Sequence, residues 1–184
     1  MVDIGGSVVK PIITDLIKSP HLFYNEENQK EGKFTAMRIY LDNCCYNRPY
    51  DDQTQFKVTM ETRAKLHVQE EICNGKYELV CSYMLDYENS KNTDETKRKV
   101  IHDYQKQYHS YYVPIERRES LQDKINEIMS YGIHYKDATH VACAIYAGCE
   151  YLLTTDIKFM KHYKGTEIQI VNPVTFIQLV EGEE

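Results

Sequence analysis

From Met37 onward, short apolar runs alternate with helical stretches, and that alternation is the feature that most limits the fold. The run MRIYLD reads as a strand ending at Asp42. Tyr77–Ser82, Tyr151–Thr155 and Glu167–Val171 read as further strands, and Tyr111–Ile115 as an extended piece. Between them lie segments with helical spacing. Thr54–Cys73 places Met60, Ala64, Val68 and Ile72 on one face and stops at Asn74-Gly75. A short helix covers Tyr83–Asn89, and a polar, protruding one covers Asp94–Tyr108. Ser120–Tyr131 carries Leu121, Ile125, Ile128 and Met129 on one side, and Lys136–Ala147 carries Ala138, Val141, Ala142 and Ile145. A short helix to Tyr163 and a terminal helix after Asn172-Pro173 complete the series. Strands separated by helices pair in parallel through right-handed crossovers. The expected fold class is therefore α/β: a three-layer α/β/α sandwich around a short parallel sheet of four to five strands. The segment NCCYNRPYDD after Asp42 reads as a loop.

Residues 1–36 do not share the alternation. Ile12, Ile13, Leu16 and Ile17 predict one short amphipathic helix, and NEENQKEGKF reads as a linker, so an appended segment over 1–36 precedes a domain over 37–184. No apolar run approaches the roughly 18 residues that span a bilayer. Asp3 stands where a secretory signal carries its basic region, and Pro11 and Asp15 interrupt the apolar stretch, so a cytoplasmic location with no membrane contact is expected. The net charge of −6 excludes binding nucleic acid through a broad basic surface; any such contact is local. The six cysteines contain no CxxC pair, which fits free buried thiols better than disulfides or zinc.

In a parallel sheet the working site lies beyond the carboxyl ends of the strands, and four acids fall there. Asp42 ends the first strand, Glu88 sits in the short helix after the second, Asp137 opens the helix before YLLTTD, and Asp156 ends that run. Carboxylates brought together repel unless they hold protons or a cation. Oxygen ligands of this kind suit Mg²⁺ or Mn²⁺, which can also take phosphate oxygens and lower the pKa of a water, the chemistry of phosphodiester hydrolysis. Each acid also has a local role open to it. Asp42 can begin a loop, Asp137 can complement a helix dipole, and Asp156 can cap the helix that follows. Glu88 competes with Asp86 and with Glu70-Glu71. The joint pattern carries the reading.

These stretches resemble the PIN-domain ribonucleases, and within them the small VapC-type toxins of bacterial toxin–antitoxin pairs. The resemblance spans Met37 to Gln178 and rests on MRIYLDNCCYNRP, SYMLDYENSKN, KDATHVACAIYAGCEYLLTTD and IQIVNPVTF. It covers the first aspartate (Asp42), a glutamate after the second strand (Glu88), a DAxHxAxA-like pattern from Asp137 through His140 to Ala144, and the final TTD (Asp156). It implies a Mg²⁺- or Mn²⁺-dependent endoribonuclease with those four acids as catalytic metal ligands, acting on RNA, paired as a homodimer and bound by an antitoxin protein. The middle, Asn92–Glu119, matches little of the family and is expected to form a helical clip for RNA or a partner. The segment 1–36 lies outside the family pattern; its apolar helix is expected to pack on the domain as an antitoxin segment would.

Secondary roles are assigned to Asn43 and Thr155 beside the carboxylates and to Arg48, Lys158 and Lys161 as RNA contacts. Packing or solvation is open to each, as it is to the 16 tyrosines and to His134 and His140. Three other functions remain for comparison. One is a catalytically silent PIN-like module binding RNA or protein. Another is a dehalogenase-like phosphatase, which needs a DxD motif where this chain has Asp42-Asn43-Cys44. The last is a nucleophile at Cys44 or Cys45, for which no activating histidine is placed by the sequence.

Overall fold

A computed structural model describes residues 36–182. The helix expected over Ile12–Ile17 and the linker after it lie outside the described residues. Within them runs a single sheet of five parallel strands, in the order β3-β2-β1-β4-β5. The strands are β1 (Met37–Leu41), β2 (Tyr77–Ser82), β3 (His109–Val113), β4 (Tyr151–Leu153) and β5 (Gln169–Val171). The helices are α1 (Asn43–Asn47), α2 (Phe56–Cys73), α3 (Tyr83–Ser90), α4 (Glu95–Tyr108), α5 (Arg118–Met129), α6 (Tyr135–Tyr146), α7 (Ile157–His162) and α8 (Pro173–Val180). The α/β class, the parallel pairing and the strand number agree with the sequence.

The chain walks outward from β1 through β2 to β3, then crosses back to β4 and continues to β5. Right-handed crossovers put the helices of the outward walk on one face and those of the return on the other. Accordingly α2 packs with α8 on one side, and α5 packs with α6 on the other. β1 is central and covered on both faces, which is why Ile39, Tyr40 and Leu41 are all fully buried and the strand does not alternate polar and apolar residues. The walk reverses between β1 and β4. At such a reversal the flanking helices leave in opposite directions and open a crevice above the carboxyl ends of the two strands. Asp42 leaves β1 at that place, and Thr154 to Asp156 leave β4 there.

Two expectations are corrected. The stretch after Asp42 is not a loop but α1 followed by a 3-10 turn, Arg48–Tyr50. The Asp42 carboxylate accepts the Asn43 N–H, and Pro49 stands in the first turn of the second helix, where its missing N–H has no partner to lose. Nor does α4 protrude. Ile101 and Tyr104 are buried in the central core, Tyr108 packs against it, and β3 extends the sheet beside β2. All six cysteines are free, four of them buried. Among the described residues no helix is long and apolar enough to cross a membrane.

Candidate metal centre

Asp42 is held by three donors at the end of β1. Its Oδ1 accepts the Asn43 backbone N–H at 2.6 Å, and its Oδ2 accepts the Thr154 hydroxyl at 2.8 Å and the Cys44 thiol at 3.0 Å. The Asp42 N–H donates to the Leu153 carbonyl at 2.9 Å, so the carboxylate is fixed against β4. The side chain is buried. A buried carboxylate is costly unless its lone pairs are met, and here donors meet several of them.

Glu88 arrives from the last turn of α3, and His140 lies between it and Asp42. The ring is fully buried, with Nε2 at 3.1 Å from Glu88 Oε2 and 3.8 Å from Asp42 Oδ1. Its Nδ1 is 2.7 Å from the Tyr40 hydroxyl, which is 2.6 Å from the Ser82 hydroxyl. An ionised Glu88 can only accept, so Nε2 carries a proton whether the ring is neutral or charged. Burial lowers the affinity of His140 for a second proton, but the hydrogen bond to Glu88 and the charges of Asp42, Glu88 and Asp137 outweigh it and raise its pKa above 6.5. Burial likewise opposes ionisation of Glu88, yet His140 and Lys136 hold its pKa below the usual 4.5. Both imidazole nitrogens are thus engaged by the protein, and the ring positions Glu88.

Asp137 stands in the first turn of α6. A helix leading into a parallel strand runs against it, so this turn lies above the carboxyl ends of the strands. The helix dipole favours an ionised carboxylate there by about 0.3–1 kcal/mol. The balance nevertheless goes the other way. Burial first, then the charge of Asp42 and those of Asp156 and Glu88, push Asp137 up to about 6, against a partial offset from His140. Asp156 is exposed, and its Oδ1 is taken by the N–H groups of Lys158 and Phe159 at the start of α7. It therefore caps that helix while its charge reaches Asp137.

The four acids foreseen from the sequence thus share one rim. Ligand-capable atoms of Asp42, Glu88 and His140 all lie within 4.8 Å of one another. Of the secondary residues, Asn43 contributes its backbone N–H, not its amide, to Asp42. The hydroxyl that orients Asp42 is Thr154's, whereas Thr155 gives its backbone N–H to Cys44 Sγ at 3.1 Å. Arg48 is turned away, pairing with Glu61 at 3.0 Å and Asp51 at 2.9 Å, so it ties the 3-10 turn to α2. Lys158 and Lys161 are exposed on α7, and His134 is exposed ahead of α6. Sequence reasoning underrated His140, Thr154 and Cys44. The signal for His140 was present: it lies one turn after Asp137 in an otherwise apolar run, ATHVACA, and so shares the face of that acid while being buried. Cys45 is buried against the Leu153 carbonyl, and burial pushes its thiol well above the usual value, which is not the setting of a nucleophile.

The donor chemistry fits a divalent cation. The carboxylates of Asp42 and Glu88 converge beside His140, the protein leaves charge partly unrelieved at the neighbouring Asp137, and oxygen donors of this type serve hard cations. Neither a protein-family model nor a curated protein sequence matches the chain. Among solved structures the chain is similar to one in the crystal structure of VapBC2 from Rickettsia felis bound to a DNA fragment from their promoter. The two are 14% identical, the match covers 74% of this chain and 98% of that one, and the TM-score is 0.48.

Proposed function

We propose that this protein is a PIN-type endoribonuclease, dependent on Mg²⁺ or Mn²⁺, and the toxin of a toxin–antitoxin pair. One observation carries the reading: Asp42 and Glu88 converge with His140 where the strand order reverses, with Asp137 and Asp156 within electrostatic reach. Asp42 and Glu88 would hold the cation, with Asp137 and Asp156 completing the acidic set around it. When bound, the cation supplies a more acidic water and positive charge beside the scissile phosphate. The chain's own groups do the rest. Thr154 and Cys44 fix the orientation of Asp42, and His140, itself held at Nδ1 by the Tyr40–Ser82 chain, holds Glu88 through Nε2. Lys136, 3.5 Å from Glu88, can move to a phosphate oxygen without leaving the rim. An acidic protein can act on an anionic polymer in this way because the positive charge is local. The RNA substrate, the antitoxin and a homodimer belong to the same proposal.

The test is incubation of structured RNA with the protein in Mn²⁺ and in EDTA, beside Asp42→Asn and Asp137→Asn. Cleavage is expected with wild type in Mn²⁺, and a loss of about 100-fold or more in the other three arms, the size of effect seen when a preorganised electrostatic group is removed. Equal cleavage in all arms excludes this site. Absence of cleavage together with absence of divalent-ion binding by calorimetry supports the silent binding module instead.

A further inference from the structure

Beside the carboxylates opens a cleft of about 350 Å³, of which the proposed chemistry uses only Lys136. It is lined by Tyr83 and Tyr87 of α3, by Ile115 and Arg118, and by Tyr135 and Lys136 of α6. It joins the metal centre at two points of sequence: Tyr87 precedes Glu88, and Lys136 precedes Asp137. Its apolar lining is displayed to solvent, with Tyr87 48% and Ile115 57% exposed. Its charge runs against the chain's net −6. Arg118 is exposed and forms no ion pair among the described residues, and the ammonium groups of Lys91 and Lys136 lie 5.1 and 5.7 Å from the Tyr87 ring centre. The cleft is within the range of small-ligand sites.

An aromatic lining with the unpaired Arg118 and the Glu88-paired Lys136 at its margin matches a planar base carrying a phosphate, because every base offers a π-face and the backbone offers anionic oxygens. A divalent ion holds only the phosphate at the reaction centre and gives no grip on the base beside it. We propose that this cleft receives the nucleobase of the RNA residue adjoining the scissile phosphate. The base lies against Tyr87 and Ile115, and the next phosphate lies against Arg118 and Lys136. The proposal rests on the ribonuclease reading. It adds that the substrate strand is unpaired at this residue, since a paired base could not enter.

The experiment uses a single-stranded oligonucleotide with one mapped cleavage site and a set of versions abasic at each flanking position. In Mn²⁺, wild type is expected to lose about 5- to 150-fold in kcat/KM at one flanking position, the range that stacking one base supplies. Tyr87→Ala should show that loss on the intact strand and no further loss on the abasic one. Arg118→Ala should raise KM on intact and abasic strands alike. Fluorescence anisotropy with the same strands in Ca²⁺ should rank them in the same order without cleavage. If wild type cleaves no strand, the ribonuclease reading fails, and the anisotropy arm alone decides the cleft. Equal binding of intact and abasic strands, or a full abasic loss retained in Tyr87→Ala, overturns the proposal. Light scattering covers the other occupant: a dimer that Ile115→Glu dissolves, with RNA binding unchanged, assigns the cleft to a second copy and overturns it as well.

Discussion

Among single residues, the acids were legible and their partners were not. Asp42 and Asp137 follow from strand ends and helix starts, which the sequence marks. Thr154 rather than Thr155 reaches Asp42 because of how β4 leaves the sheet, and no pattern in TTD distinguishes two adjacent threonines. The same limit hid Lys65. It stands on α2 between Ala64 and Leu66, and it is 3% exposed, bonded to Gln69 and facing the Tyr46 ring, with no carboxylate paired to it among the described residues. Burial lowers its pKa to about 7. The consequence for stability has a definite sign. Below pH 7 both folded and unfolded chains carry the charge, and the folded state bears the whole cost of burying it. As pH rises from about 7 towards 10.5 the folded chain has released the proton while the unfolded chain keeps it, so stability climbs. Other groups titrate in that window, so the comparison is with Lys65→Met. The stability gap between wild type and variant, from urea denaturation, should shift in favour of wild type by on the order of 4 kcal/mol between pH 6 and pH 10. A gap independent of pH would show that the buried amine is not neutral at neutral pH.

For whole elements, the long periodic helices and the central strands were readable because burial on one face or on both leaves a pattern. Within 92–119 the helix and the extended piece agree with the sequence, and only the expected protrusion of the helix fails, for a physical reason. ETKRKVIHDYQKQY buries only a narrow stripe through Ile101 and Tyr104, with Gln105 beside it, so its composition looks like a solvated helix. The stripe is enough because it is seated on the core: the Tyr104 ring packs on Tyr46 and its hydroxyl donates to the Gln69 carbonyl of α2. If α4 is part of the fold and not a clip, its anchors carry stability. Ile101→Ala should cost about 2–4 kcal/mol in denaturant unfolding, as for other buried aliphatic truncations. Asp94, whose side chain accepts the Lys97 N–H at 3.0 Å, caps the same helix, and Asp94→Ala should cost about 1 kcal/mol. Surface-like values near zero at Ile101 would restore the protruding clip.

At the scale of the molecule, the reversal of strand order was not visible in the sequence, since alternation alone fixes parallel pairing but not which strands are neighbours. That reversal is what turns separate acids into one rim, and it ties cation binding to folding. A cation that binds only the folded chain stabilises it by mass action, about 2.7 kcal/mol at a hundredfold excess over Kd. For a chain of this size that is about 5–10 °C in Tm. Asp137 separates this from nonspecific salt effects. Its carboxylate is held up at about 6 by burial and by Asp42, Asp156 and Glu88, so without metal it opposes folding at neutral pH. Asp137→Asn should therefore raise the metal-free Tm by a few degrees and abolish the Mn²⁺ shift, the stability-for-function exchange expected where like charges are gathered for a purpose. Differential scanning fluorimetry at pH 7.5, with and without millimolar Mn²⁺, reads both effects. A variant that keeps the Mn²⁺ shift would move the cation away from these carboxylates. A variant with lower metal-free Tm would mean that the Asp137 carboxylate supports the helix more than its neighbours oppose it.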